Sequence, residues 1–251
     1  MDSQAPSAES TSAESGLREE LVQACQVLYA VKAAGDGLGG HLSARLDGQR
    51  ILIKPRPVSW RTLKPEDLIV IDFEGKRVDG PADGSLDGRS AIREWPIHAR
   101  IYAARPDVRC VLHAHPRAST LMAALGIAVE PLDQDCASFA GRLPVLENNA
   151  VSISTPALGD DVARTLGKMG AMLLKNHGCV VAGPEIAYVC VTAQRLEKVA
   201  ETMLSAASLA SLPVMPPQAQ AAVLQAREAA EPAAQGGLYR ERWRMMREYY
   251  L

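Results

Sequence analysis

The chain has 251 residues, 47% of them apolar and 22% charged, and its 27 Lys or Arg against 29 Asp or Glu leave a formal charge of −2. That composition is globular, which excludes disordered and fibrous classes, and the near-zero charge argues against a nucleic-acid or anionic-membrane surface as the main partner. Aromatics are only 4%, so a core has to be built from Ala, Val, Leu and Ile, and the length suffices to bury one large domain.

The opening MDSQAPSAESTSAESG (1–16) has neither a basic start nor an apolar stretch, which predicts a flexible tail rather than a signal peptide. Leu21, Val22, Cys25, Leu28 and Tyr29 recur at helical spacing over 17–34, and the glycines at 35, 37, 39 and 40 stop that helix. HLSARLD (41–47), ILIKP (51–55) and DLIVIDFEG (67–75) read as strands, and the Gly/Asp-rich 80–90 as a loop. A helix is expected from about 93 to 104, closed by Pro106, then a buried strand VRCVLHAH (108–115) and a helix over 118–125. PVLEN, SISTP, AMLLKN and GCVVAG supply further strands, with a helix near 160–168 and a long one over 187–209. SLPVMPPQ (211–218) is a linker, and LYRERWRMMREYYL is an amphipathic terminal helix.

Many links between adjacent strands are too short for parallel crossovers. The expected architecture is therefore α/β in three layers: one domain over 17–210, its mixed or antiparallel sheet flanked by helices, with 211–251 as linker and C-terminal helix. No run of about 18 apolar residues is present to span a membrane. Five cysteines, odd in number and without a C-x-x-C pair, read as buried reduced thiols of a cytoplasmic protein.

The five histidines, His41, His98, His113, His115 and His177, carry the chemistry. His113 and His115 are two apart on an expected strand, so both rings leave the same face and supply two of the three imidazoles of a first-row metal site. His177, in KNHGC, sits where a strand gives way to a Gly turn, and close backbone approach at Gly178 would let it reach the same centre. Spacing alone leaves two hydrogen-bonded histidines as the other reading of the pair.

The segments GGHLSAR (39–45), PEDLIVIDFEGKRVDG (65–80), REWPIHARIYAARPDVRCVLHAHP (93–116) and LLKNHGCVVAG (173–183), with the long helix after them, resemble the class II aldolase/adducin family. Their order and spacing match over about 17–210. This is the fold of fuculose-phosphate aldolase and ribulose-phosphate 4-epimerase. The resemblance implies one divalent ion, Zn, Mn, Co or Fe(II), held by His113, His115 and His177, with Glu94 as catalytic acid/base able to approach it. It also implies a homotetramer whose sites lie at subunit clefts, where Tyr239, Trp243 and Tyr249 are candidates to cover them. His98, one turn after Glu94, reads as structural.

Three motifs that hold a substrate phosphate in the sugar-phosphate enzymes are altered here. His41 replaces the Asn of G-N-x-S, Lys54-Pro55-Arg56-Pro57 stands for the T-x-S/T-G loop, and Ile92-Arg93 for a Ser-Ser pair. The G-H-x-S pattern, with Ser43, and the Arg93-Glu94 step resemble the decarboxylase branch, which acts on hydroxyaromatic carboxylates and carboxy-muconic semialdehydes. A small-molecule carboxylate is thus the expected partner, bound by His41, Ser43 and Arg93 and oriented by Arg93 and His41, and its decarboxylation would leave an enolate-type carbanion on the metal side. An aldolase or epimerase on a small hydroxy-carbonyl substrate, and a non-haem iron oxygenase, are the alternatives.

Overall fold

Strands that are apolar at nearly every position need cover on both faces, and the central sheet has it. A computed structural model describes residues 8–37, 39–79, 89–90, 92–147, 151–209, 211–230 and 237–251. Helix α1 (Ala8–Ala30) leads into β1 (His41–Arg45), β2 (Arg50–Ile53) and β3 (Ile69–Asp72). Helix α2 (Trp95–Ala104), β4 (Cys110–Ala114), α3 (Arg117–Leu125), α4 (Gln134–Phe139) and β5 (Val145–Leu146) follow. The rest is α5 (Pro156–Leu166), β6 (Ala171–Leu174), β7 (Gly178–Gly183), α6 (Ile186–Ala206), α7 (Pro217–Ala230) and α8 (Gly237–Tyr250). The sheet order is β3-β2-β1-β4-β7-β6-β5, antiparallel throughout except for the β5–β6 pair. The expected mixed sheet in a three-layer α/β domain is what the chain forms.

Alternation along the strands sorts the core into two layers. Leu42, Ala44, Leu112, Ala114, Cys179 and Val181 face α1, α3 and α6, while Val111, Val180, Ala182, Met172 and Leu174 face α2 and α5. A buried carboxylate pins the first layer: Glu197 on α6 accepts from the backbone N–H groups of Ala118 (2.7 Å) and Ser119 (3.0 Å) and from Ser119 Oγ (2.9 Å), satisfying the open start of α3. All five cysteines are buried with free thiols. No helix among the described residues is long and apolar enough to cross a membrane.

Several local expectations are corrected. The tail expected over 1–16 is helical from Ala8 onward, because Ala and Glu are strong helix formers and Glu14 pairs with Arg18 one turn later at 3.0 Å; residues 1–7 lie outside the described residues. SISTP forms no strand: Thr155 instead caps α5 by accepting from the Leu158 N–H, and Pro156 opens the helix earlier than expected. The linker is shorter than 211–218, since α7 starts at Pro217 and was not expected at all. Most of the loop expected at 80–90, namely 80–88, lies outside the described residues.

Replacing Glu197 by Leu strips the α3 N-terminus of its acceptor inside the core. Urea denaturation should show a loss of about 2–4 kcal/mol; an unchanged midpoint would mean that α3 is held by packing alone.

Candidate metal centre

Glu94, the N-cap of α2, is followed at four-residue intervals by His98 and Tyr102, all turned toward the sheet. Opposite them, His41, Ser43 and Arg45 alternate along one face of β1. Four helical residues and two strand residues advance by nearly the same distance, so the two rows meet. His41 Nδ1 lies 2.6 Å from His98 Nε2, His98 Nδ1 lies 2.6 Å from Ser43 Oγ, and Ser43 Oγ lies 2.8 Å from the Tyr102 hydroxyl. The Tyr102 hydroxyl in turn donates to the Ser43 carbonyl at 3.1 Å. Arg45 closes the row: its guanidinium stacks on the Tyr102 ring at 4.8 Å and donates to the carbonyls of Tyr102 and Val108.

The expectation that Ser43 touches substrate is therefore corrected. Its side chain is fully buried and both of its hydrogen bonds are made inside the protein, to His98 and Tyr102. His98 has the structural position expected of it. Lys54, in the segment that stands for the T-x-S/T-G loop, is 2% exposed and lies over the Trp60 ring. Ile92 is core, whereas Arg93 is exposed and makes no hydrogen bond or ion pair among the described residues. Tyr239 and Trp243 are buried where α8 packs on α6 and α1, with Tyr239 against the Tyr188 ring at 4.6 Å, while Tyr249 stands in solvent. Within one chain they do not cover the centre.

The centre is assembled at the ends of β4 and β7. His113 pairs across the sheet with His41 on one side and Val180 on the other. His115 follows just past β4, at the parity that puts it on the same face. His177 ends a tight turn after β6, in which Asn176 takes the left-handed conformation at φ 58° and the His177 N–H donates to the Leu174 carbonyl at 3.0 Å. A Cβ on Gly178 would sit 2.3 Å from the Ala114 carbonyl oxygen and 2.8 Å from His115 Cδ2, so only glycine lets the two strand ends come this close. One ligating atom from each of Glu94, His113, His115 and His177 lies within 4.8 Å of all the others.

These four groups are electron-pair donors with little else to bond. His113 Nδ1 donates to the Cys179 carbonyl at 2.9 Å, which leaves Nε2 as the bare nitrogen, buried, without a hydrogen-bond partner among the described residues and 3.4 Å from Glu94 Oε2. His177 Nε2 is 3.4 Å from Glu94 Oε1. Burial drives His115 and His177 down to about 4, and the imidazole of His113 adds to the shift, so both are neutral near pH 7. Burial opposes the charge of Glu94 too, so its carboxylate needs donors or a cation close by. Its Oε1 also accepts from Ser152 Oγ (3.0 Å) and the Ile153 N–H (2.9 Å). Neutral imidazoles and a fixed carboxylate are the donor set of a borderline divalent ion, whose ligand atoms at ~2.1 Å stand ~3.4 Å apart when tetrahedral. The residues fit such an ion. His115 also borders a cavity of about 1100 Å³, shared with Gly39, Arg117 and Leu121.

The sequence reading missed Ser152, Ile153 and the role of Tyr102. The four-residue spacing of Glu94, His98 and Tyr102 was the available signal for Tyr102; nothing local marks Ser152 and Ile153.

Residues 19–204 match the family described as Class II Aldolase and Adducin N-terminal domain. The chain is 29% identical over 201 residues to a 3,4-dihydroxyphthalate decarboxylase of Terrabacter sp. (strain DBF63), covering 76% of this chain and 81% of that one. It is 28% identical over 209 residues to a 5-methylthioribulose-1-phosphate/5-deoxyribulose-1-phosphate aldolase of Rhodospirillum rubrum, covering 83% of this chain and 90% of that one. The solved L-fuculose 1-phosphate aldolase of Glaciozyma antarctica PI12 has the same fold, with a TM-score of 0.80 at 22% identity over 98% of this chain and 94% of that one.

Elemental analysis of protein purified without chelator should find about one first-row divalent ion per chain, and His113→Ala should lower that at least tenfold. A variant that keeps its metal would remove His113 from the ligand set.

Proposed function

Because the chain belongs to the class II aldolase and adducin family, we propose that it is a divalent-metal-dependent lyase that breaks a carbon–carbon bond, decarboxylating a hydroxylated aromatic carboxylate or a related ring-cleavage acid. The observation that carries this reading is the meeting of His113, His115, His177 and Glu94 within 4.8 Å. His113, His115 and His177 would hold the ion, whether Zn, Mn, Co or Fe(II), and as neutral ligands would leave it its full double charge, so that when bound it would supply Lewis-acid stabilisation of negative charge.

The protein's own groups do the rest. Glu94, locked by Ser152 and Ile153, points its second oxygen toward His113 and His41 and returns a proton from water to the reacting carbon. Arg93, exposed and uncommitted beside Glu94, offers a planar fork to a second carboxylate of the substrate. The cavity that borders the centre at His115 has Leu121 as an apolar wall. The likeness to a dihydroxyphthalate decarboxylase and the loss of the phosphate-holding serines at Ile92-Arg93 both support a carboxylate substrate over a phosphorylated one. The likeness to a sugar-phosphate aldolase favours a second reading, cleavage of a small hydroxy-carbonyl compound. The working assembly in this proposal is a homotetramer with sites at subunit clefts, in the cytoplasm, acting on small molecules and not on nucleic acid or membranes.

Incubated without oxygen, the metal-loaded protein should release carbon dioxide from ortho-hydroxylated aromatic dicarboxylates, with Glu94→Gln slower by about 10²–10⁴-fold. Arg93→Ala should raise KM about tenfold or more and leave kcat within about threefold. Cleavage to an aldehyde without carbon dioxide would select the aldolase reading, and an absolute need for oxygen would select an oxygenase. Light scattering should give four chains per particle; a monomer retaining full activity would refute shared sites.

A further inference from the structure

The end of the sheet opposite the metal centre carries a second concentration of charge. On β1, His41 borders the centre and Arg45 lies four residues on, ~13 Å along the strand, where β4 begins and β7 ends with the pair Cys110–Gly183. Beyond that edge, a cleft of about 450 Å³ is lined by Arg45, Arg109, Arg240 and Arg247, together with Ile186 and Ala187, the first two residues of α6. Glu20 and Glu185 are the carboxylates in its wall, so four guanidiniums against two acids leave an excess of two positive charges. Several donors there are unspent among the described residues. Arg109 is exposed and makes no hydrogen bond or ion pair. Trp243, also in the wall, is 3% exposed, yet its indole N–H has no acceptor. The Arg247 guanidinium lies 5.4 Å over that indole, and its buried Nε–H lacks an acceptor as well. Glu185, the N-cap of the 21-residue helix α6, makes no side-chain cap and instead accepts from Arg240 Nε at 2.8 Å. The N–H groups of Ile186 and Ala187 therefore stay open at the positive end of the helix dipole. Donors that are sealed off from water without an acceptor cost free energy, and an anion would relieve that cost.

We propose that this cleft binds a tetrahedral oxyanion with two negative charges, either inorganic phosphate or the phosphate group of a small phosphomonoester. The donors come from three elements: Arg109 from the start of β4, the open N–H groups from α6, and Arg240, Trp243 and Arg247 from α8, at three- and four-residue steps along one helix face. A set spread over several directions suits a tetrahedron of oxygens better than the plane of a carboxylate, and a helix start joined by guanidiniums is a favourable place for such an anion. The volume also admits a short carbon chain beside the phosphate, which is why both sources fit. Glu20 opposes the anion and so limits its affinity. The site is separate from the metal centre and does not depend on which bond that centre breaks.

Calorimetric titration of the metal-loaded protein with phosphate and with glycerol 3-phosphate should show saturable binding. Arg109→Ala, which removes only an exposed side chain, and Arg247→Gln should each weaken both ligands at least about tenfold. Trp243→Phe, which keeps a ring but not the N–H, should weaken them about threefold or more. Glu20→Gln should tighten binding about threefold by lifting a repulsion, a gain that loss of structure would not produce. Glycerol 3-phosphate as the tighter ligand assigns the site to phosphomonoesters; phosphate equal or tighter assigns it to the free ion. His113→Ala, deprived of its metal, should bind both as the wild type does. No saturation below about 10 mM, affinities unmoved by the Arg109 and Arg247 variants, or binding that vanishes in His113→Ala overturns the proposal. Phthalate held through the same two arginines as tightly as phosphate overturns it too.

Discussion

Lone pairs on three imidazoles and a carboxylate converge within 4.8 Å, and such a group repels itself unless positive charge stands in its midst. The rest of the fold makes that convergence unavoidable. Glu94 cannot swing away because Ser152 and Ile153 hold its other oxygen, and His113 cannot turn because the Cys179 carbonyl holds its Nδ1. The ends of β4 and β7 cannot part because their sheet pairing continues through Ala114 and Cys179. Rigid donors of this kind cost free energy without a cation, and the flanking layers supply it through ordinary apolar burial.

The family's pattern was legible because its chemistry depends on parity and turns. Two histidines at strand spacing must share a face, and the His177-Gly178 step announces a tight approach that the Ala114 carbonyl then enforces. Parity was insufficient for Ser43. It names the face of β1 but not how far along that face the site extends, and one strand step past His41 the face is already covered by α2. Ser152 and Ile153 escaped notice because the alternation in SISTP mimics a strand, while its polar atoms are spent on a carboxylate fifty-odd residues earlier in the chain. Helix α7 escaped because its Ala, Gln and Glu favour a helix without marking an apolar face.

A row of polar side chains sealed between a helix and a sheet is tolerable only if every member is satisfied. Here His41, His98, Ser43 and Tyr102 bond to one another in an unbroken row whose near end borders the centre. A buried network of this type shapes the site as much as the groups that border it.

The facing rows on α2 and β1 behave as a vernier. Four helical residues climb ~6.0 Å and two strand residues ~6.6 Å, so the two scales drift by ~0.6 Å per mark. The side chains absorb that drift across the first marks, at Glu94 with His41 and at His98 with Ser43. By Tyr102 the offset is only ~1.2 Å, and there β1 supplies Arg45, whose long arm reaches several carbonyls at once. The near-match of two pitches thus keeps the two scales in step over the length of the whole assembly.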